Sequence, residues 1–192
     1  MATQQSSDRG ERAPESSSKP TTTTDVAVPA KTEPAPRPEL TVERVTHQDV
    51  NEVCALYKRV WDAQKGDLPP DMIKAWEPTP LEFTSWMEGV TYFVARRGGK
   101  VIGVVGLEIK HGSARIVHLA VDPDDRRQGV GTALVRAAVD WARHSSCTSV
   151  WSDALARFAA AADLMLHLGF SESGVLHRHE WNEDVRFFEE LL

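Results

Sequence analysis

The chain has 192 residues, of which 41% are apolar and 26% are charged, and its formal net charge is -6. This composition is typical of a soluble globular protein, and the acidic balance argues against a protein whose main ligand is nucleic acid or an anionic membrane. Two cysteines cannot form a disulfide framework, and no apolar run approaches the ~20 residues that span a bilayer, so we expect a cytoplasmic protein.

The first 39 residues differ in composition from the rest of the chain. They contain no Leu, Ile, Phe, Trp or Tyr, yet they hold six of the eleven prolines. Such a segment cannot bury enough apolar surface to offset the loss of conformational entropy on folding. We therefore predict a disordered low-complexity tail over residues 1–39 and one folded domain over residues 40–192.

The period of the apolar residues predicts the elements of the folded domain. The predicted strands span residues 40–45, 91–96, 101–109, 114–121, 148–151, 175–181 and 185–191. The last of these segments also fits helical spacing. The predicted helices are one that begins near residue 50 and others at 81–89, 130–144 and 154–168, with at most a short helix at 71–76. This order of elements predicts an α+β fold, in which several antiparallel strands precede a strand, a glycine loop and a helix.

The most informative segment runs from Ile116 to Leu134 and contains the end of a strand, a polar loop and the start of a helix. Gly129 and Gly131 allow backbone amides to approach a ligand closely, and the N-terminus of a helix favours a phosphate group. No Lys-Ser or Lys-Thr pair follows the glycines, and the third glycine of the dinucleotide fingerprint is missing. ATP and NAD are therefore poor candidates for the ligand.

This loop resembles the signature of the GNAT superfamily of acyl-CoA-dependent N-acyltransferases, Arg/Gln-x-x-Gly-x-Gly/Ala, since residues 126–131 read Arg-Arg-Gln-Gly-Val-Gly. The Leu168-Gly169-Phe170 ending of the Ala-rich helix is also typical of the family. The resemblance implies a central mixed, mostly antiparallel sheet flanked by helices, with acetyl-CoA as co-substrate. By this resemblance the residues that bind CoA through the strand and the loop are Leu119, Ala120, Val121, Arg126, Arg127, Gln128, Gly129, Val130, Gly131 and Thr132.

The sequence departs from the family at two positions. Many members carry a tyrosine four residues before the Gly-Phe step, where it acts as general acid toward the departing CoA thiolate, but this chain has Met165 there. Methionine has no proton to transfer. The asparagine that often precedes that tyrosine by seven residues is replaced by Phe158.

Transfer of an acyl group from a thioester to an amine also needs a group that accepts the proton of the amine. His118 is the first candidate, because imidazole titrates near neutral pH and the residue lies on the strand expected to flank the acyl group. Strand alternation predicts that Ile116, His118 and Ala120 share a face. Glu108, on the preceding strand, is the second candidate. A histidine satisfied by its neighbours and a solvated surface carboxylate are the simpler interpretations of these two residues.

Other side chains carry weaker signals. His177 and His179 would share one face of a strand, but without a third ligand at a suitable spacing we expect no metal site. Cys54 and Cys147 fit buried positions better than a nucleophile. Several early tryptophans are candidates to line the pocket for the amine, although core packing is the simpler expectation for at least two of Trp61, Trp76 and Trp86.

The leading hypothesis is a cytoplasmic N-acetyltransferase that transfers acetyl from acetyl-CoA to a primary amine by direct attack in a ternary complex. The alternative is a noncatalytic acyl-CoA-binding or regulatory module with a GNAT-like fold, and a weaker third hypothesis is an interaction protein whose tail recruits a partner. The acceptor, a small molecule or a protein amine, is left open. Pairing of two copies through the strands near the C-terminus is an open alternative to a monomer, and no nucleic acid or membrane partner is expected.

Overall fold

The computed structural model describes residues 38–192. The predicted tail lies outside the described residues, apart from its last two positions. Over the described part of the chain, the strands are β1 (Leu40–Arg44), β2 (Thr91–Arg97), β3 (Lys100–Lys110), β4 (Ser113–Val121), β5 (Ser149–Leu155), β6 (Ser171–Glu180) and β7 (Glu183–Leu191). The helices are α1 (Val50–Asp62), α2 (Pro70–Trp76), α3 (Pro80–Trp86), α4 (Val130–His144) and α5 (Ala159–His167).

The strands form one seven-stranded sheet in the order β1-β2-β3-β4-β5-β7-β6. Neighbouring strands are antiparallel except for β4 and β5, which are parallel. The β4–β5 pairing runs only from Ser113 opposite Ser149 to Ile116 opposite Ser152, although β4 continues to Val121. The last five residues of β4 are therefore not paired to β5, and the two strands open away from each other.

Apolar clusters cover both faces of the sheet. On one face α4 and α5 pack on a large cluster that contains Leu134, Ile116 and Phe188. On the other face α1 and α3 pack on a second cluster, which contains Leu56, Phe83 and Val104. This arrangement, a mixed and mostly antiparallel sheet flanked by helices, confirms the predicted α+β fold.

Local sequence explains where the elements begin. Thr79 and Glu82 form a capping box in front of α3, with Pro80 at the first helical position. The β2–β3 hairpin turns at Gly98 and Gly99, whose φ angles are 57° and 82°, as a tight turn between twisted strands requires. This turn joins the two strands predicted at 91–96 and 101–109, which pair antiparallel. The short helix predicted at 71–76 is confirmed by α2.

The structure corrects the start of the last predicted helix. The Ala-rich segment was expected to be helical from Ala154, but α5 begins at Ala159. Ala154 and Leu155 instead continue β5, where they pair with Arg186 and Val185 of β7. Alanine fits either element, and pairing with a neighbouring strand decides between them here. The segment 185–191 is a strand for the same reason.

Candidate active site

Strand β4 carries a β-bulge at the point where it separates from β5. Val104 of β3 pairs with Ala120, whereas Gly106 pairs with Val117, so two residues of β4, His118 and Leu119, lie opposite one residue of β3. His118 has a φ angle of 56°, in the left-handed region that non-glycine residues rarely adopt. His118 therefore lies in a distorted segment, two residues beyond the last residue of β4 that pairs with β5.

Three aromatic side chains from three different elements hold His118. The Tyr57 hydroxyl of α1 donates a hydrogen bond of 2.8 Å to the carbonyl oxygen of His118. The Trp86 ring of α3 stacks on the imidazole, with 4.4 Å between ring centroids. Tyr92 Oη of β2 lies 2.5 Å from His118 Nδ1. Tertiary contacts therefore fix both the backbone and the ring of this histidine.

Gly106 of β3 provides the space for one of these aromatic rings. A Cβ on this residue would lie 2.8 Å from Tyr92 Cε1 and from Val90 Cγ1, and 2.9 Å from Val117 Cγ2. Such distances are well inside van der Waals contact. The bare glycine thus allows Tyr92 to pack tightly against β3 while its hydroxyl reaches His118.

The bulge makes one sequence prediction wrong. Strict alternation predicted that Ile116, His118 and Ala120 share a face of the sheet. Ile116 packs in the cluster beneath α4, whereas Ala120 packs in the cluster beneath α1. The extra residue of the bulge reverses the alternation, and His118 faces the α1 side through its contacts with Trp86 and Tyr92.

Both candidate catalytic groups lie in this region, and they differ in charge at neutral pH. Part of the His118 surface is exposed to solvent, but burial of the rest lowers the pKa of its imidazole to about 4. The Arg115 guanidinium also lowers this pKa, whereas the carboxylates of Glu108 and Asp153 raise it. A hydrogen bond from Lys110 Nζ, 2.6 Å from Glu108 Oε1, lowers the pKa of Glu108. Near pH 7 the imidazole is therefore neutral and Glu108 is ionised.

The glycine loop leads into the N-terminus of α4. Gly129 is the N-cap residue, with a φ angle of 81°, and no side chain caps the helix. The first amides of a helix have no partner within it, and together with the helix dipole they attract anions. Arg126 and Arg127 are exposed beside these amides. Among the described residues, neither arginine forms an ion pair that would neutralise it.

The other residues predicted to bind CoA differ in their burial and in which of their groups can contact a ligand. The Gln128 side chain donates to the Asp124 carbonyl at 2.9 Å and accepts from Arg97 Nη1 at 2.7 Å, so it braces the loop. Ala120 and Val130 are buried, which leaves their backbone groups as candidates for contact. Those that remain half-buried on β4 and α4 are Leu119, Val121, Gly131 and Thr132.

Comparison with known proteins agrees with this geometry. The profile of the Acetyltransferase (GNAT) family matches residues 51–170. The chain belongs to this family. It is 30% identical over 94 residues to the [ribosomal protein bS18]-alanine N-acetyltransferase of Escherichia coli, and the match covers 49% of this chain and 64% of that enzyme. The chain spans 44% to 64% of the length of the curated relatives that it matches first.

Solved structures support the same fold. The crystal structure of the S18-alanine N-acetyltransferase from E. coli superposes with a TM-score of 0.65 at 22% identity, covering 80% of this chain and 94% of that one. The PaiA N-acetyltransferase from Thermoplasma acidophilum, solved in complex with coenzyme A, superposes with a TM-score of 0.67 at 12% identity, covering 80% and 99% of the two chains. At these sequence identities the superpositions show a shared fold and nothing more specific.

This GNAT protein has no hydroxyl at the position of the tyrosine found in many family members. Met165 is 3% exposed and packs in the cluster beneath α4 and α5. Phe158, at the position of the frequent asparagine, contacts the Trp76 ring with centroids 5.9 Å apart. Both replacements are therefore apolar packing residues.

The early tryptophans divide between two aromatic groups. Trp86 stacks on His118, whereas Trp61 packs against Trp76 with ring centroids 5.1 Å apart. Trp181, at the tip of the β6–β7 hairpin, also reaches Trp76, with centroids 6.3 Å apart. Trp86 is thus the one of the three predicted tryptophans with a direct contact to a candidate catalytic residue.

The remaining sequence signals lie apart from this site. His177 Nδ1 is 3.0 Å from Asp184 Oδ2 on the exposed hairpin, and within residues 38–192 no group of three or more His, Cys, Asp or Glu residues could hold a metal ion. Cys147 is buried and Cys54 is half-buried. In the same part of the chain, no helix is long and apolar enough to cross a membrane.

Sequence reasoning did not identify the roles of Tyr57 and Tyr92. The two tyrosines lie 61 and 26 residues before His118 in the chain, and no local motif links such distant positions.

Proposed function

We propose that this GNAT protein is an acetyl-CoA-dependent N-acetyltransferase for a primary amine. One observation carries the proposal: β4 separates from β5 after Ile116 and ends at Val121, and the loop over residues 122–129 leads into an uncapped α4 N-terminus headed by Gly129. The open strand edge offers unpaired backbone groups for the pantetheine arm, and the helix amides offer an anion site for the pyrophosphate. Bound along this path, the thioester lies near His118.

The chemistry requires a neutral amine beside the thioester carbonyl. The amine lone pair attacks the carbonyl carbon, a C–N bond forms, and the C–S bond then breaks with its electron pair leaving on sulfur. The amine loses one proton in this sequence, and the CoA thiolate takes up one on release. His118 and Glu108 are the titratable groups that we assign to this site.

We expect the acceptor substrate to be an amine that binds to an aromatic and acidic surface. Trp86 presents an aromatic ring beside His118. The carboxylates of Glu108 and Asp153, which pair with Lys110 and Arg115, act on the same imidazole. Aromatic faces and carboxylates both attract an ammonium group before it is deprotonated. Named relatives act on a protein alanine, so N-terminal peptides belong in the first acceptor panel beside polyamines and amino sugars.

We keep the cytoplasm as the expected location. Both cysteines, Cys54 and Cys147, are free thiols, as a reducing compartment favours.

Calorimetric titration with acetyl-CoA tests the binding site. In the full chain, Gly131→Glu should weaken acetyl-CoA binding by at least 100-fold, because a carboxylate at the helix N-terminus repels the pyrophosphate. Its Cβ would lie 3.0 Å from Leu164 Cδ2, the flexible end of a side chain, so a thermal melt should confirm folding. Gly174→Glu, on the exposed edge strand with open space around its Cβ, is the matched control. Equal affinity in both variants would contradict the proposal.

The second candidate function is a noncatalytic acyl-CoA-binding module. The observation that favours it is Met165, buried where many family members carry a tyrosine. Tight binding of acetyl-CoA without product in the amine panel, followed by mass spectrometry, would support this alternative.

A further inference from the structure

We infer that His118 acts as a hydrogen-bond donor through its Nε2–H. Tyr92 is the positioning residue, because its hydroxyl keeps the imidazole in the tautomer that carries the proton on Nε2. The inference deepens the proposed function, on which it rests, and it assigns His118 a different role from that of the base expected from sequence. The acceptor of the donated hydrogen bond is the carbonyl oxygen of the bound thioester.

The geometry of the two rings supports a directional hydrogen bond. Tyr92 Oη and His118 Nδ1 are 2.5 Å apart, and the two ring planes differ by only 7° with centroids 6.0 Å apart. That separation is close to an end-to-end arrangement, in which the phenolic oxygen lies near the plane of the imidazole. The N–H bonds and lone pairs of an imidazole lie in its plane, so Nδ1 is fully engaged by Tyr92.

The available partners decide which atom donates. Burial lowers the pKa of His118 to about 4, so the neutral ring carries one N–H and one lone pair. Within the described residues, the Tyr92 hydroxyl has no other hydrogen-bond acceptor. If Nδ1 carried the proton, the O–H of this buried tyrosine would therefore be left without a partner, at an energetic penalty. Tyr92 accordingly donates to Nδ1, and the imidazole proton sits on Nε2.

The rest of the ring is held so that Nε2 is available. Trp86 covers one face of the imidazole, and Tyr57 anchors the backbone of the same residue. Across residues 38–192, Nε2 has no hydrogen-bond partner, and part of His118 is exposed. A neutral imidazole N–H that is fixed in advance stabilises negative charge as it develops on a carbonyl oxygen. His118 then neither gains nor loses a proton during the transfer, and the amine proton leaves to Glu108 or solvent.

Nuclear magnetic resonance of the full chain tests the tautomer independently of activity. With 15N-labelled histidine, the His118 signals are identified by their loss in His118→Gln. We expect a protonated Nε2 and an unprotonated, hydrogen-bonded Nδ1 near pH 7, and in Tyr92→Phe we expect the Nδ1 resonance to move to the position of a free imidazole nitrogen. A protonated Nδ1 in the wild-type protein would overturn the inference even if acetyl transfer is confirmed.

Kinetics distinguishes a donor from a base. The carboxamide of Gln places an N–H near the position of Nε2 but cannot accept a proton. His118→Ala should lower kcat by about 100-fold or more, whereas His118→Gln should lose no more than about 10-fold. The dissociation constant for free CoA, which lacks the acetyl carbonyl, should be unchanged in both variants. A Gln variant as inactive as the Ala variant would refute the donor role. Thermal melts establish that both variants are folded.

Discussion

Replacing Gly106 by alanine should disturb the packing that supports His118. The new Cβ would meet three atoms at 2.8–2.9 Å, on Tyr92, Val90 and Val117. Tyr92 is 2% exposed and cannot swing into solvent. Overpacking of a tight core costs about 1–3 kcal/mol. Replacement of glycine also reduces the entropy of the unfolded chain, which offsets about 0.4–1 kcal/mol of that loss.

Gly174→Ala is the matched control, because Gly174 also lies in a strand but has nothing within 4 Å of its added Cβ. The unfolded-state gain is common to both variants, so their difference isolates the overpacking. At roughly 3 °C per kcal/mol for a domain of this size, Gly106→Ala should melt about 3–9 °C below Gly174→Ala in a calorimetric scan. Equal melting temperatures would refute the close approach of Tyr92 to β3.

Two further predictions concern charge and the missing tyrosine. The pKa of His118 is about 4 in the folded protein, whereas its ordinary value is 6.5. Between these two pH values the unfolded chain binds more protons than the folded protein, so the free energy of unfolding falls as the pH is lowered from 6.5 to 4. In urea unfolding at pH 7 and pH 5, His118→Gln should lose less stability than the wild type, and an identical loss would contradict the lowered pKa. Met165→Tyr should destabilise the core by about 1–3 kcal/mol, by urea unfolding, without raising kcat, since the side chain is buried; a higher kcat would show that the hydroxyl reaches the site.

Much of the fold could be predicted because its signals are local. A paired glycine turn, a capping box and the change from alternating to helical period each occupy fewer than about twenty residues of sequence, and each restricts the backbone directly. The error at Ala154 has the opposite cause. An alanine-rich segment favours a helix weakly, and the partner strand β7, which decides its state, lies some thirty residues further along the chain.

In the candidate site, too, features encoded by neighbouring residues could be predicted, and features that depend on tertiary contacts could not. Gly129 and Gly131 mark the ligand loop from sequence, because a bare backbone at a helix N-terminus is a property of consecutive residues. His118 was identified by its chemistry, but the prediction that it shares a face with Ile116 was wrong, since the bulge depends on how β3 and β4 pair and no residue type specifies it. The role of Tyr92 was missed altogether.

The sequence by itself determined the family, the order of the elements and the position of the glycine loop, since short-range patterns encode them. Only the tertiary structure decided where His118 points, which atoms of its ring are engaged, and that Met165 is buried. These properties arise from contacts between residues far apart in the chain. A hydrogen bond of 2.5 Å between Tyr92 and His118 exists only after β2, β3 and β4 have paired in register.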